Sequence, residues 1–278
     1  MKNRKEIVKV ISLVLIILFV ANFVFLSLLP KMVAYISGNL GYPLSSGNLV
    51  MKYSMGIGVR FVGLILFFYI LKITQIIKWY SFRMDKNCLK LSWLFALYII
   101  ANIEIGSTET MTILSVCLMV VESMMTGIYE ETVFRGLVLP IFLRKWGTNR
   151  TRVIACVLIS NMLFGLAHLL NLFTGADLAS VLSQVCYATM IGTAFSALLL
   201  RTNGNLLWCG ILHGFYDMAS GFGDFVNKVS QGVQASQAVT SVVPYLINLS
   251  FFIPIFLYGL FLLTKITAVT ADGTVCME

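Results

Sequence analysis

Charge is what this chain has least of. Across 278 residues, Asp, Glu, Lys and Arg make up 12% and hydrophobic residues 59%, where a soluble domain is about a quarter charged and about half apolar. That balance excludes an ordinary water-soluble core. Histidine is scarcer still, with only His168 and His213. No CxxC pair occurs. Cys88, Cys117, Cys156, Cys186, Cys209 and Cys276 stand apart, four of them within apolar runs, which argues for packing residues rather than disulfides or a thiolate zinc site. No loop is long enough to fold as a soluble domain, and internal repeats and low-complexity tracts are missing.

Long apolar runs fill the space that charge leaves. A spanning helix needs roughly 20 mostly apolar residues, and eight segments are legible at about 7–29, 55–77, 90–105, 111–143, 151–171, 178–200, 205–222 and 243–264. The third is short and the fourth long, with the division between them placed at Ser107–Thr110. Ile7–Leu29 is too long for the apolar core of a cleaved signal peptide and reads as a retained first helix. The net charge of +8 does not point to nucleic acid, because the basic residues sit in short loops between apolar runs. With the N-terminus inside, fifteen of the 20 basic residues fall on the inner side. Lys31, Lys52 and Lys228 fall outside, and Arg60 and Arg135 lie within apolar segments. Such an asymmetry is a topology signal. The expectation is one all-α, polytopic transmembrane domain over residues 1–278, a bundle of about eight helices with both termini cytoplasmic.

An ionisable side chain inside a spanning helix costs roughly 2.5–3.5 kcal/mol on insertion scales and faces the protein interior. The suspects are Arg60, Glu122, Glu130, Glu131, Arg135, His168, His213 and Asp217. Glu131 and Arg135 are four apart, on one helix face, and can neutralise each other; taken alone they read as a structural ion pair. Glu130 has no basic residue three or four positions away, so a partner must come from another helix. His213 and Asp217 are also four apart: the carboxylate can fix the imidazole tautomer, or both can bind one group. Phe164 stands four residues before His168. At about 1.5 Å per residue, Glu130, His168, His213 and Asp217 have compatible depths and can meet in one cavity. Either histidine alone has an equally simple reading as a hydrogen bond between helices. Arg60 is expected to snorkel to the outer surface. The Gly210 and Gly214 spacing points to close helix packing.

Glu130-Glu131-x-x-x-Arg135, Phe164-x-x-x-His168 and His213-x-x-x-Asp217, in that order on separate segments, resemble the CPBP family. This is the group of CAAX proteases and bacteriocin-processing enzymes, also called Abi proteins or type II CAAX prenyl endopeptidases. The resemblance spans residues 130–217 and implies a catalytic core within about 111–222. It implies an intramembrane endopeptidase of glutamate type acting on a membrane-associated peptide or protein. Carried over by position, Glu130 and His168 would activate water, and His213 and Asp217 would form the oxyanion pocket. Glu131, Arg135 and Phe164 would support the site. The third motif often ends in Asn; with Asp217, either the carboxyl is protonated or it acts by orienting His213.

No cofactor is favoured, although Glu130, His168, His213 and Asp217 would be the ligands if a divalent metal such as zinc were bound. The other readings are a non-enzymatic membrane immunity or binding protein and a proton-coupled transporter, since buried Glu and His also build proton relays. Transporters commonly carry internal repeats with broken helices, which this chain lacks. The compact form resembles prokaryotic members, placing the protein in the plasma membrane of a prokaryote with the lipid bilayer as its surroundings.

Overall fold

In hydrocarbon every backbone N–H and C=O must bond within its own segment, so an apolar run long enough to span becomes a helix. The computed structural model describes residues 2–39, 49–81, 83–84, 86–103, 112–222 and 243–278. Helix α1 runs from Lys2–Leu18 through a π-helical stretch, Phe19–Leu28, into Leu29–Asn39. Helix α2 is Leu49–Ile73, and α3 and α4 are the short pieces Lys86–Leu91 and Trp93–Ala101. Helix α5 joins Ile113–Glu131, a second π stretch at Thr132–Val138, and Leu139–Trp146. Helix α6, Arg150–Ala167, tightens into a 3₁₀ turn over His168–Thr174. Helices α7, Leu178–Arg201, α8, Leu206–Gly221, and α9, Val243–Leu263, complete the bundle.

The fold is therefore an all-α polytopic membrane architecture. Six helical segments among the described residues are long and apolar enough to cross a bilayer. The third and seventh expected spans are helical but shorter. Ser92 separates α3 from α4, its hydroxyl donating to the Cys88 carbonyl at 2.5 Å, and α8 has 16 residues. The boundary expected at Ser107–Thr110 lies outside the described residues. Leu15, Ile16, Phe61, Ile65 and Phe261 point outward, each more than half exposed, as side chains facing lipid do.

Helix α1 continues through Pro30, past the end at Leu29 that the apolar run predicts. In α5 the same order recurs: a π stretch, then Leu139-Pro140. A proline inside an α-helix lacks the donor for the carbonyl four residues back. For Pro140 that carbonyl is Gly136, and the Tyr80 hydroxyl reaches it at 2.8 Å and the Arg135 carbonyl at 3.0 Å. The π stretch and an outside donor thus let α5 pass its proline unbroken.

Helices pack in lipid where small residues let backbones approach. A Cβ built on Gly127 of α5 would stand 2.3 Å from the Gly214 nitrogen and 2.5 Å from the Gly210 carbonyl oxygen of α8. The Gly210 and Gly214 spacing is thus used for contact with α5, as expected. Since Glu130 and Glu131 are one turn from Gly127, and His213 adjoins Gly214, this crossing sets how near the carboxylates come to the imidazole. Gly127→Ala should force the two helices apart at a cost of about 1–3 kcal/mol. A lowered unfolding midpoint in detergent, together with lost function, is the expected result; a fully stable variant would contradict the contact.

One small element is added to the helices. Strands β1, Ile266–Val269, and β2, Val275–Met277, form an antiparallel hairpin. It closes the end of the bundle that carries the basic residues: Val269 N–H donates to the Gly147 carbonyl at 2.8 Å, and Arg150 pairs with Glu278 at 2.6 Å. Lys145 and Glu6 are 3.7 Å apart at the same end. Both ends of the chain therefore lie at one end of the bundle.

Candidate active site

The acidic pair sits where α5 changes from α to π geometry, a form of helix that recurs at functional sites. Glu131 and Arg135 are completely buried and 3.1 Å apart. The guanidinium also donates to Asn161 Oδ1 at 2.9 Å and lies over the Phe164 ring, 4.3 Å from its centroid. Asn161 is itself held by donating to the Val157 carbonyl at 2.7 Å and to Ser196 Oγ at 2.9 Å. Gly192 makes room for this arrangement, since a Cβ there would stand 2.5 Å from Arg135 Nη2. One cation thereby ties α5, α6 and α7 together.

His213 meets that network from α8. Its Nδ1 lies 2.9 Å from Glu131 Oε1, a hydrogen bond in which the ring N–H donates to the carboxylate. The helical spacing offered this ring to Asp217, yet the bond goes to Glu131, across the close α5–α8 crossing. The other ring nitrogen, Nε2, lies 3.7 Å from Glu130 Oε2 and 3.7 Å from Asp217 Oδ1. Phe195 stacks on the imidazole, with ring centroids 5.4 Å apart, and Phe164 meets its face edge-on at 6.1 Å. The ring is therefore fixed by one hydrogen bond and two aromatic walls, with Nε2 aimed between two carboxyl groups.

His168 begins the 3₁₀ turn that ends α6, and Phe164 packs against it with centroids 5.2 Å apart. Glu130, His168, His213 and Asp217 all line one cavity of about 810 Å³ within the bundle. Glu131 and Arg135 stand behind its wall.

Arg60 departs from expectation. It does not snorkel outward: its Nη1 lies 2.8 Å from Glu122 Oε1, and both groups line the same cavity about four-fifths buried. A carboxylate on a neighbouring helix is a better partner than the distant interface. Glu122, unassigned from sequence, gains its partner the same way. Each residue was visible as a buried charge, but the pairing joins α2 to α5 and no spacing rule on one helix reports it.

Metal binding can be tested against the donors present. Among the described residues no three His, Cys, Asp or Glu side chains form a group that could hold a metal ion. His213 Nδ1 is occupied by Glu131.

No curated protein and no solved structure matches the chain. A family model does: residues 112–219 match Rce1-like, described as type II CAAX prenyl endopeptidase Rce1-like. The matched stretch contains all three motifs, from Glu130 to Asp217, on α5, α6 and α8, with α7 between them; α1 and α2, which complete the cavity wall, lie outside it. The match of residues 112–219 to the Rce1-like model, within a chain of membrane-spanning helices, supports a CAAX-type intramembrane protease family.

Proposed function

We propose that the protein is an intramembrane endopeptidase that hydrolyses a membrane-associated peptide through a water activated by Glu130 and His168. The observation that carries this reading is the convergence of Glu130, His168, His213 and Asp217, from three helices, on one cavity inside the bundle. Water is a poor nucleophile and needs a base within hydrogen-bond reach. In this mechanism the Glu130 carboxylate takes a proton as the water oxygen bonds to the scissile carbonyl carbon. The C–N bond then breaks and the same proton passes to the leaving amine.

His213 and Asp217 serve the oxyanion. With its Nδ1–H committed to Glu131, the His213 ring presents Nε2 to the cavity. That nitrogen donates only when the ring is an imidazolium, and it accepts when the ring is neutral. Glu131 therefore acts as a positioning residue that sets which nitrogen faces substrate, and Arg135 and Phe164 hold it there. A fixed donor at the developing negative charge is the largest single aid to acyl transfer.

The reaction so written uses no metal. Purified protein in lipid vesicles should cleave a membrane-anchored peptide reporter at the same rate before and after prolonged chelation, with metal far below one equivalent in the active preparation. Activity abolished by chelation and restored by zinc would overturn the metal-free mechanism. A biological phenotype that survives alanine at Glu130, His168, His213 and Asp217 together would overturn the peptidase reading in favour of a scaffold.

A further inference from the structure

The cavity lies in one half of the bundle. Its lining runs from Asn22 to Lys31 on α1, from Lys52 to Arg60 on α2, and from Met119 to Phe134 on α5. It continues from Phe164 to Phe173 at the end of α6, from Gln184 to Phe195 on α7, and from His213 to Gly221 on α8. Helices α1, α6 and α8 approach this end and α2, α5 and α7 leave it, so the six stretches coincide in space. The opposite end holds the hairpin and the basic residues. There Arg144 donates to the Thr74 carbonyl at 3.3 Å, Arg150 pairs with Glu278, and Ser81 N–H donates to the Gly204 carbonyl at 3.1 Å. At the cavity end, the basic residues described outside the apolar segments are Lys31 and Lys52, both exposed and both on the cavity wall.

Loops that stay in the cytoplasm carry the excess of Lys and Arg. The end rich in basic residues is therefore the cytoplasmic one, and the cavity faces away from it. We propose that the site opens on the non-cytoplasmic face of the membrane, and that its substrate is an apolar segment of an exported peptide rather than a lipidated C-terminus in the cytoplasm. The face follows from charge and cavity alone; the substrate rests additionally on the peptidase reading. The inner walls suit an apolar chain, since Phe134, Phe164, Ile191 and Phe195 surround the polar groups.

Thiol labelling separates the two halves of the inference. In a chain with Cys117 and Cys186 replaced by serine, Cys276 is the remaining exposed native cysteine, at the hairpin end. Into that background Lys31→Cys and Lys52→Cys are introduced singly, two positions guarding against one that misfolds. In right-side-out membrane vesicles a membrane-impermeant maleimide should label the thiol at position 31 or 52, and should label Cys276 only after permeabilisation. The reverse pattern overturns the proposal. An apolar peptide tethered to the outer leaflet should be cleaved, with cleavage lost when it is tethered to the inner leaflet. Correct labelling without cleavage on either side overturns the substrate half and the peptidase reading, while the orientation stands.

Discussion

Glu130→Gln should reduce peptide hydrolysis by about 10²–10⁴-fold, the range contributed by a positioned general base. The substitution keeps the shape of the side chain and removes only its capacity to take a proton. Glu130 lines the cavity, and His213 Nε2 stands 3.7 Å from its carboxyl, beyond a hydrogen bond. The fold should accordingly be indifferent to the change. Two measurements on one preparation check this: initial rate on a membrane-anchored reporter, and the unfolding midpoint in detergent. A collapsed rate with an unchanged midpoint is the expected pair of results. Full activity would remove Glu130 from the mechanism.

Arg135→Gln should do the opposite, striking the fold first. Removing one member of a buried ion pair strands the other and costs about 3–5 kcal/mol. Here the loss is compounded, because the guanidinium also serves Asn161 and covers Phe164. Arg135→Lys should not rescue it, since an ammonium lacks the planar fork that reaches Glu131 and Asn161 together. Reversible unfolding in mixed micelles measures the cost. A variant as stable as the parent would mean that the buried pair contributes nothing net, and that α5, α6 and α7 are held by apolar packing alone.

These two residues show what the sequence made legible. Buried charges in apolar runs are conspicuous because lipid makes them expensive, so Glu130, Arg135, His168, His213 and Asp217 stand out without a structure. The Glu131–Arg135 pair was also readable, because both ends lie on one helix. Contacts between helices were not. The Glu131–His213 bond and the Arg60–Glu122 pair join residues 82 and 62 positions apart, and helical periodicity carries no information at that range. The hairpin had a signal that the apolar runs obscured: Asp272-Gly273 between Ile266–Val269 and Val275–Met277, with Gly273 at a φ of 93°. A Gly next to Asp between alternating apolar residues is a turn signature. Pro30 misled for the converse reason. It reads as a helix stop, and nothing local announces that a π stretch will carry α1 past it.

The π stretch in α5 has a consequence for how the chain can change length. A π turn holds more residues than an α turn, so Thr132–Val138 delays the winding of α5 by on the order of 100°, the angle one residue subtends in an α-helix. Deleting one residue there could restore an unbroken α ladder, at no loss of local hydrogen bonding. It would also swing Arg144 and Lys145 around the helix axis relative to Glu130, and pull Gly136 away from the Tyr80 hydroxyl. The spacing between the acidic pair and the basic end is thus an angular setting, and an alignment that closes this stretch by one residue would join parts that face different ways.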